Sequence, residues 1–170
     1  LADITEAGPH GLRLDDFAER TSGVRFERDI KPWAIPCDVA LPCATQNELG
    51  ADDARALVNR GDVIAVAEGA NMPCTEAAIE TLRTANVMHL PGKAANAGGV
   101  LVSGLEMAQN AQRVPWDAER VDTELAERMQ AIHDRCVENS SRQNPVDYAE
   151  GANVAAFRRL ARAKAAQGWG

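Results

Sequence analysis

The sequence has few aromatic residues and no long apolar run. Aromatic residues make up 4% of the 170 residues, so a hydrophobic core must be built mainly from aliphatic side chains. No apolar run approaches the about 18 to 20 residues that a membrane helix needs, and the first ten residues lack the basic and apolar segments of a secretory signal. We therefore expect a soluble, cytoplasmic protein with no membrane partner.

The cysteines and the net charge exclude further classes. The four cysteines form no C-x-x-C pair and have no histidines at zinc spacing, so we expect reduced thiols. The net charge of −7 disfavours nucleic acid as a partner, because the phosphate backbone attracts cationic proteins. A short basic run is interpreted as a solvated or partner-contacting face. It comprises Arg158, Arg159, Arg162 and Lys164.

Three short apolar runs predict a parallel β-sheet. They cover residues 38–41, 63–67 and 87–90. Their apolar character is nearly continuous rather than alternating, as in strands that are covered on both faces. Residues 49–60 and 75–86 have the length and pattern of the helical crossovers that parallel strands require.

Helices are predicted on both sides of this unit. Their expected bounds are residues 12–20, 98 or 99 to 112, 115 to about 139, and 146–167, with a short extended piece at 24–26. Pro115 is expected in the first turn of the third of these helices. Its buried stripe is expected to comprise Val121, Leu125, Met129, Ile132 and Cys136. In the last helix, Val154, Phe157, Leu160 and Ala161 are expected to face inward.

The loops that follow the three apolar runs are the candidate ligand site, because open α/β sheets bind ligands beyond the carboxyl ends of their strands. These loops cover residues 42–47, 68–73 and 91–99. They combine small residues with amide side chains, which suits a neutral polar ligand such as a ribose or a carboxamide. Ordinary turns also favour glycine and asparagine, and neither G-x-G-x-x-G nor a Walker motif occurs, so spacing alone leaves dinucleotide binding open.

Two other chemistries are weaker alternatives. Cys43 could act as a nucleophile with His89 or His133 as base and Asp38 or Asp134 as orienting group, but no nucleophile motif frames it. A metal site of His133, Asp134 and Cys136 is disfavoured because neighbouring positions on a helix point in different directions. We assign no metal ligands and no catalytic residue from the sequence.

Five long motifs in one order carry a family resemblance. They are residues 42–49 (PCATQNEL), 67–73 (AEGANMP), 91–100 (PGKAANAGGV), 103–110 (SGLEMAQN) and 151–154 (GANV). With them the chain, from about Val24 to Gln167, resembles the carboxyl-terminal part of the hexameric, bacterial-type NADP-dependent glutamate dehydrogenases. Cys74 is a departure, since the family usually has threonine or another small polar residue there.

The resemblance implies an α/β fold: the second half of a Rossmann-like parallel-sheet domain followed by long carboxyl-terminal helices. Residues 1–112 are expected to be a partial dinucleotide-binding domain without its glycine fingerprint, and residues 113–170 helices that return toward the substrate domain. The implied parent enzyme is an oxidoreductase of amino-acid metabolism and ammonium assimilation, which converts L-glutamate to 2-oxoglutarate and ammonium with NADP(H). The family's catalytic lysine and aspartate match no position here, so we expect the isolated chain to be an inactive fragment.

The resemblance also implies the site residues. Ser103 would bind the distal carboxylate of glutamate, Val100 would line its methylene stem, and Gly99 would allow close backbone approach. The cofactor-binding residues would be Ala44, Thr45, Gln46, Asn71 and Asn96. Lys93 is expected to have a local or structural role.

The resemblance further implies a cofactor and partners. NADP follows from the likeness, and NAD is not excluded. The parent is expected to be a homo-hexamer that binds glutamate and 2-oxoglutarate. The isolated chain is expected to self-associate, because half of a doubly wound sheet exposes a strand edge and an apolar face. The alternative function is a naturally short, non-catalytic binding or regulatory module that docks on full-length subunits.

Overall fold

The computed structural model describes residues 13–168 in two compact units that divide between Pro32 and Trp33. The described part of the first unit contains helix α1 (Leu14–Arg20). Asp15 in its first turn pairs with Arg13 at 3.1 Å and with Arg28 at 2.7 Å, and these guanidinium groups hold the pKa of its carboxyl well below the ordinary value. The predicted start at residue 12 lies outside the described residues, and the expected extended piece at 24–26 forms no strand.

The second unit alternates strands and helices and then becomes helical. A short 3₁₀ helix (Pro32–Ala34) precedes its first strand. The elements are β1 (Val39–Ala40), α2 (Ala51–Asn59), β2 (Ala65–Ala67), α3 (Glu76–Thr84), β3 (Met88–Leu90), α4 (Gly92–Ala95), α5 (Ala97–Gln112), α6 (Ala118–Asn139) and α7 (Tyr148–Gln167). No helix among the described residues combines the length and the apolar character needed to cross a membrane.

The strands form a parallel sheet in the order β1-β2-β3, which confirms the predicted α/β class. Side-chain oxygens define where the crossover helices begin. Asp53 accepts a hydrogen bond from the Gly50 amide at the start of α2, and Thr75 accepts one from the Ala78 amide at the start of α3. Each oxygen satisfies a backbone N–H that the helix itself leaves without a partner.

Two apolar clusters cover the sheet. One joins it to α2 and α3, and its largest fully buried members include Leu49, Val66 and Leu82. The other packs Cys136 of α6 and Tyr148 of α7 against Met88 and Leu90 of β3. Gly151 permits this second contact, because a Cβ atom there would lie only 2.0 Å from the Cys136 carbonyl oxygen.

Several predicted helix details are corrected. The segment 91–96, expected as a loop, contains the single turn α4. The sixth helix begins at Ala118 rather than at Pro115, because Asp117 caps it by accepting from the Arg120 amide at 2.8 Å. Along α6, Cys136 is buried whereas Val121, Leu125, Met129 and Ile132 are only half-buried.

The predicted inner face of the last helix is partly wrong. Val154 and Ala161 are half-buried, but Phe157 and Leu160 are 70% and 69% exposed. Spacing along the helix does not separate them, because Phe157 lies three residues after Val154 and four before Ala161. Among the described residues, little covers the Phe157 and Leu160 side chains. Gly168 ends the helix at a φ of 83°, as predicted. The division of the chain after residue 112 stays a prediction.

Replacing Leu82 by alanine tests the core between the sheet and α3. Leu82 is fully buried, so the Leu82→Ala change is expected to lower the free energy of unfolding by about 2 to 5 kcal/mol. The matched control is Leu14→Ala, in which the lost side chain is exposed and a change within about 0.5 kcal/mol is expected. Urea unfolding at low protein concentration measures both, and equal losses would contradict the described core.

Candidate functional site

Three loops meet at the carboxyl edge of the sheet. The parallel register places Ala40 beside Val66 and Val66 beside His89, so the segments that follow the strands leave the sheet side by side. Backbone hydrogen bonds then join the loops: the Gly69 amide donates to the Pro42 carbonyl at 2.9 Å, and the Asn47 amide to the Met72 carbonyl at 3.0 Å. The predicted association of these loops is present in the structure.

The first two loops approach at Gly69. A Cβ atom on this residue would lie 2.3 Å from Cys43 Sγ and 3.3 Å from Cys43 Cβ. Any larger residue at position 69 would therefore force the Cys43 side chain to move. The predicted cofactor residues Ala44, Thr45 and Gln46 follow Cys43 and are exposed.

Two residues of these loops have left-handed backbone conformations. Asn47 has a φ of 58° and Met72 a φ of 50°. Asparagine accepts this conformation readily, whereas it is uncommon for methionine. The Asn47 amide donates to the Met72 carbonyl, so this hydrogen bond between the first and second loops joins two residues that both have a positive φ.

The second and third loops are joined by two side chains. Glu68 Oε2 accepts from the Gly92 amide at 2.6 Å. Asn96 Nδ2 donates to the Ala70 carbonyl at 2.9 Å and to Asn71 Oδ1 at 3.0 Å. The two predicted cofactor residues Asn71 and Asn96 therefore contact each other.

The asparagine pair Asn71 and Asn96 has a donor and an acceptor that can bind a ligand. Its internal bond uses the Nδ2 of Asn96 and the Oδ1 of Asn71, which leaves the Nδ2 of Asn71 as donor and the Oδ1 of Asn96 as acceptor. Asn71 is exposed and Asn96 is half-buried. A carboxamide, which has one acceptor and one donor group, is complementary to this arrangement.

The predicted substrate residues lie on the helix that follows the third loop. Gly99, Val100 and Ser103 are in the first two turns of α5 and are all exposed. A Cβ atom on Gly99 would meet no atom within 4 Å, whereas one on Gly98 would lie 3.4 Å from Leu125 of α6. Gly98 thus lies on the face of α5 that packs against α6. Gly99 and Ser103 are four residues apart and share a solvent-exposed face of the same helix.

The two alternative chemistries are not assembled within residues 13–168. His133 Nδ1 lies 3.0 Å from the Tyr148 hydroxyl and His89 faces Glu68, so neither imidazole contacts Cys43. Asp134 is exposed and accepts from Gln130, whereas Cys136 is buried, so His133, Asp134 and Cys136 do not converge. Lys93 Nζ donates to Asn153 Oδ1 of α7 at 2.6 Å, a contact between elements distant in the sequence. The expected local or structural role of Lys93 stays a prediction.

Sequence reasoning missed a buried polar cluster under the loops. Glu68, Cys74 and His89 offer a carboxylate oxygen, a sulfur and an imidazole nitrogen that all lie within 4.8 Å of one another. Burial, and next the neighbouring Glu68 carboxylate, raise the pKa of the Cys74 thiol to about 12. The only signal in the sequence is that an acid directly follows an apolar strand, which does not reveal its burial.

The chain is similar in sequence to proteins of one family. The family model described as Glutamate/Leucine/Phenylalanine/Valine dehydrogenase matches residues 1–168. The NADP-specific glutamate dehydrogenase of Salmonella typhimurium is 52% identical over 156 residues, which are 92% of this chain and 34% of that protein. The NAD-specific glutamate dehydrogenase of Porphyromonas gingivalis is 45% identical over 99% of this chain and 37% of its own length.

A solved structure extends the likeness to three dimensions. The glutamate dehydrogenase of Plasmodium falciparum superimposes with a TM-score of 0.86 at 42% identity, over 93% of this chain and 34% of that one. The chain thus spans about a third of the length of these relatives.

A Gly69→Ala variant tests the close approach of the first two loops. The added methyl group must displace Cys43, so we expect a loss of about 1 to 3 kcal/mol in the free energy of unfolding. Adding Cys43→Ala removes the sulfur and should restore most of that loss. Gly99→Ala is the matched control, because open space and a helical position predict no loss. Equal effects of the two glycine substitutions in urea unfolding would refute the contact.

Alkylation by iodoacetamide tests the environment of Cys74. Its pKa near 12, three units above the ordinary thiol value of 9.0, predicts about a thousandfold less thiolate at pH 8. In the presence of a chelator, mass spectrometry should show Cys43 modified far faster than Cys74. The rate at Cys74 should still rise about tenfold per pH unit between pH 8 and 10, and a plateau below pH 9 would contradict the raised pKa.

Proposed function

The chain belongs to the Glutamate/Leucine/Phenylalanine/Valine dehydrogenase family, and we propose that the protein containing it converts L-glutamate reversibly to 2-oxoglutarate and ammonium with NADP(H). The observation that carries this proposal is the junction of three loops at the carboxyl edge of a parallel sheet, where Asn71 and Asn96 contact each other. Nucleotide ligands of open α/β sheets bind at such edges.

The asparagine pair is proposed to hold the nicotinamide end of the cofactor. The donor on Asn71 and the acceptor on Asn96 suit the carboxamide of that ring. Ala44, Thr45 and Gln46 would follow the ribose, a role that their exposure on the adjoining loop supports. The bound dinucleotide would supply hydride transfer, and this chain would supply its orientation.

The first turns of α5 are proposed to bind the substrate. Ser103 would donate its hydroxyl hydrogen to the distal carboxylate of glutamate, which needs donors when it leaves water. Val100 would contact the methylene stem, and Gly99 would let the substrate approach the backbone. Because these residues follow the loop that contains Asn96, one rigid helix would set the distance between substrate and cofactor.

Proton transfer is assigned to other parts of the protein. The chain spans about a third of the length of its relatives. Among the described residues of the three loops, the lysine is Lys93, and its ammonium group donates to the Asn153 amide oxygen and not to a carboxylate. We therefore propose that this chain orients the reactants, while catalytic acid and base groups come from the remaining two thirds.

The choice of cofactor and the assembly are also proposals. One relative is named NADP-specific and another NAD-specific, and NADP is preferred here because of the higher identity to the former. A hexamer of identical subunits is proposed for the whole protein. Exposed apolar residues such as Met107, Phe157 and Leu160 support the view that further protein covers these helices.

A Ser103→Ala variant of the whole protein tests the substrate role. Loss of one hydrogen bond to a charged group is worth about 1.5 to 3 kcal/mol, so the KM for glutamate should rise at least tenfold. The KM for NADP should stay within about twofold, because Ser103 is assigned no cofactor contact. Steady-state assays with each substrate varied in turn measure both constants.

Two control variants accompany this test. Ser103→Thr keeps a hydroxyl group and should retain more of the glutamate affinity than Ser103→Ala. Thr84→Val removes an exposed hydroxyl from the last turn of α3, before β3 begins, and should leave both constants unchanged. An unchanged KM for glutamate in Ser103→Ala would refute the assignment.

A further inference from the structure

We propose that Glu68, Cys74 and His89 form a zinc-binding site beneath the three loops. The proposal is independent of the dehydrogenase activity, since none of these residues is assigned a role toward glutamate or the dinucleotide. It concerns three side chains that come from different elements: the end of β2, the residue before the cap of α3, and the middle of β3.

The ligand atoms have suitable spacing. All three lie within 4.8 Å of one another, and Glu68 Oε1 is 3.2 Å from His89 Nε2. In a tetrahedral zinc site with bonds of about 2.0 to 2.1 Å to nitrogen and oxygen, neighbouring ligand atoms are separated by about 3.3 to 3.4 Å. The carboxylate and the imidazole are thus already at bridging distance, and Cys74 Sγ lies within 4.8 Å of both.

Two of the ligand atoms have no hydrogen-bond partner outside the cluster. The side chains of Glu68 and His89 are 6% and 9% exposed, and neither Glu68 Oε1 nor His89 Nε2 is bonded to any described residue beyond Glu68, Cys74 and His89. Their mutual contact has the separation of an ion pair but not the alignment of a hydrogen bond. Buried polar atoms without a partner are costly, and a shared cation would satisfy both.

The surrounding backbone holds the ligands in place. The Gly92 amide donates to Glu68 Oε2, so Oε1 is the oxygen that faces His89. Hydrogen bonds of this kind commonly orient the ligands of metal centres. His89 is fixed by its strand pairing with Val66. Cys74 is fixed by a parallel bridge to Leu49, in which the Thr75 amide donates to the Leu49 carbonyl at 3.0 Å.

The chemistry of the ligands selects the metal. Thiolate and imidazole ligands favour zinc, whereas magnesium and calcium require oxygen ligands. On binding, the Cys74 thiol loses its proton to solvent and forms a bond to zinc, without any change of oxidation state. One thiolate, one carboxylate and a neutral imidazole then balance the two positive charges of the ion. A buried site with no net charge avoids the large cost of an unpaired charge.

The test measures zinc affinity in the natural protein that contains these residues. Protein freed of metal with a chelator is titrated with zinc against a competing indicator, and folding is monitored by circular dichroism. We expect one zinc ion per chain, with affinity lowered at least tenfold by Cys74→Ser and by His89→Gln. The matched controls Cys43→Ser and His133→Gln alter the same residue types outside the cluster and should bind zinc as the unmodified protein does.

Cobalt provides a second measurement if Cys74→Ser does not fold. Cobalt bound to the unmodified protein should give a thiolate-to-cobalt charge-transfer band, and the band should persist in the double variant Cys37→Ser/Cys43→Ser. Absence of the band, failure of the unmodified protein to retain zinc, or loss of zinc in the controls but not in Cys74→Ser and His89→Gln would overturn the proposal. The cluster would then be a buried Glu68–His89 ion pair without a metal.

Discussion

The buried carboxylate of Glu68 holds the candidate site together. It follows β2 directly, is only 5% exposed, and accepts the amide hydrogen of Gly92 in the first turn after β3. A buried charge is tolerated only when hydrogen bonds or opposite charges compensate it, so the positions of both loop segments are tied to this group. The bond from the Gly92 amide to Glu68 thereby holds the third loop where Asn96 Nδ2 can donate to the Ala70 carbonyl and to Asn71 Oδ1.

Helix α5 connects the three loops to the proposed substrate residues. The helix starts one residue after Asn96, and its Gly98 packs against Leu125 of α6. This contact fixes the rotation of the helix about its axis, and Gly99 and Ser103 consequently share the open face. Packing of α5 against α6 thus determines which α5 side chains can meet a ligand, and a Cβ atom at Gly98 would already be in van der Waals contact with Leu125.

The strands and crossover helices could be predicted from the sequence because apolar runs around Val39, Val63 and Val87 alternate with segments of helical length. The amide-rich loops were predicted by the same argument, since parallel strands all end at one edge. The expected cover on both faces of the sheet is only partly present, since Val39, Leu41 and Ile64 are 47%, 59% and 64% exposed. The burial of Glu68 and His89 could not be predicted, because the sequence shows only an acid after one apolar run and a histidine within the next, and the register brings them together. The face of α7 was also misjudged at Phe157 and Leu160, since an apolar residue does not reveal whether this chain or another surface covers it.

Hydrogen exchange of the whole protein, with and without NADPH and 2-oxoglutarate, most directly tests whether the three loops and the start of α5 bind cofactor and substrate. Amides in residues 43–47, 69–72 and 97–103 should exchange more slowly with both ligands present, while those of α2 should change little. Unchanged exchange in all three segments, together with protection confined to other parts of the protein, would contradict the proposed site.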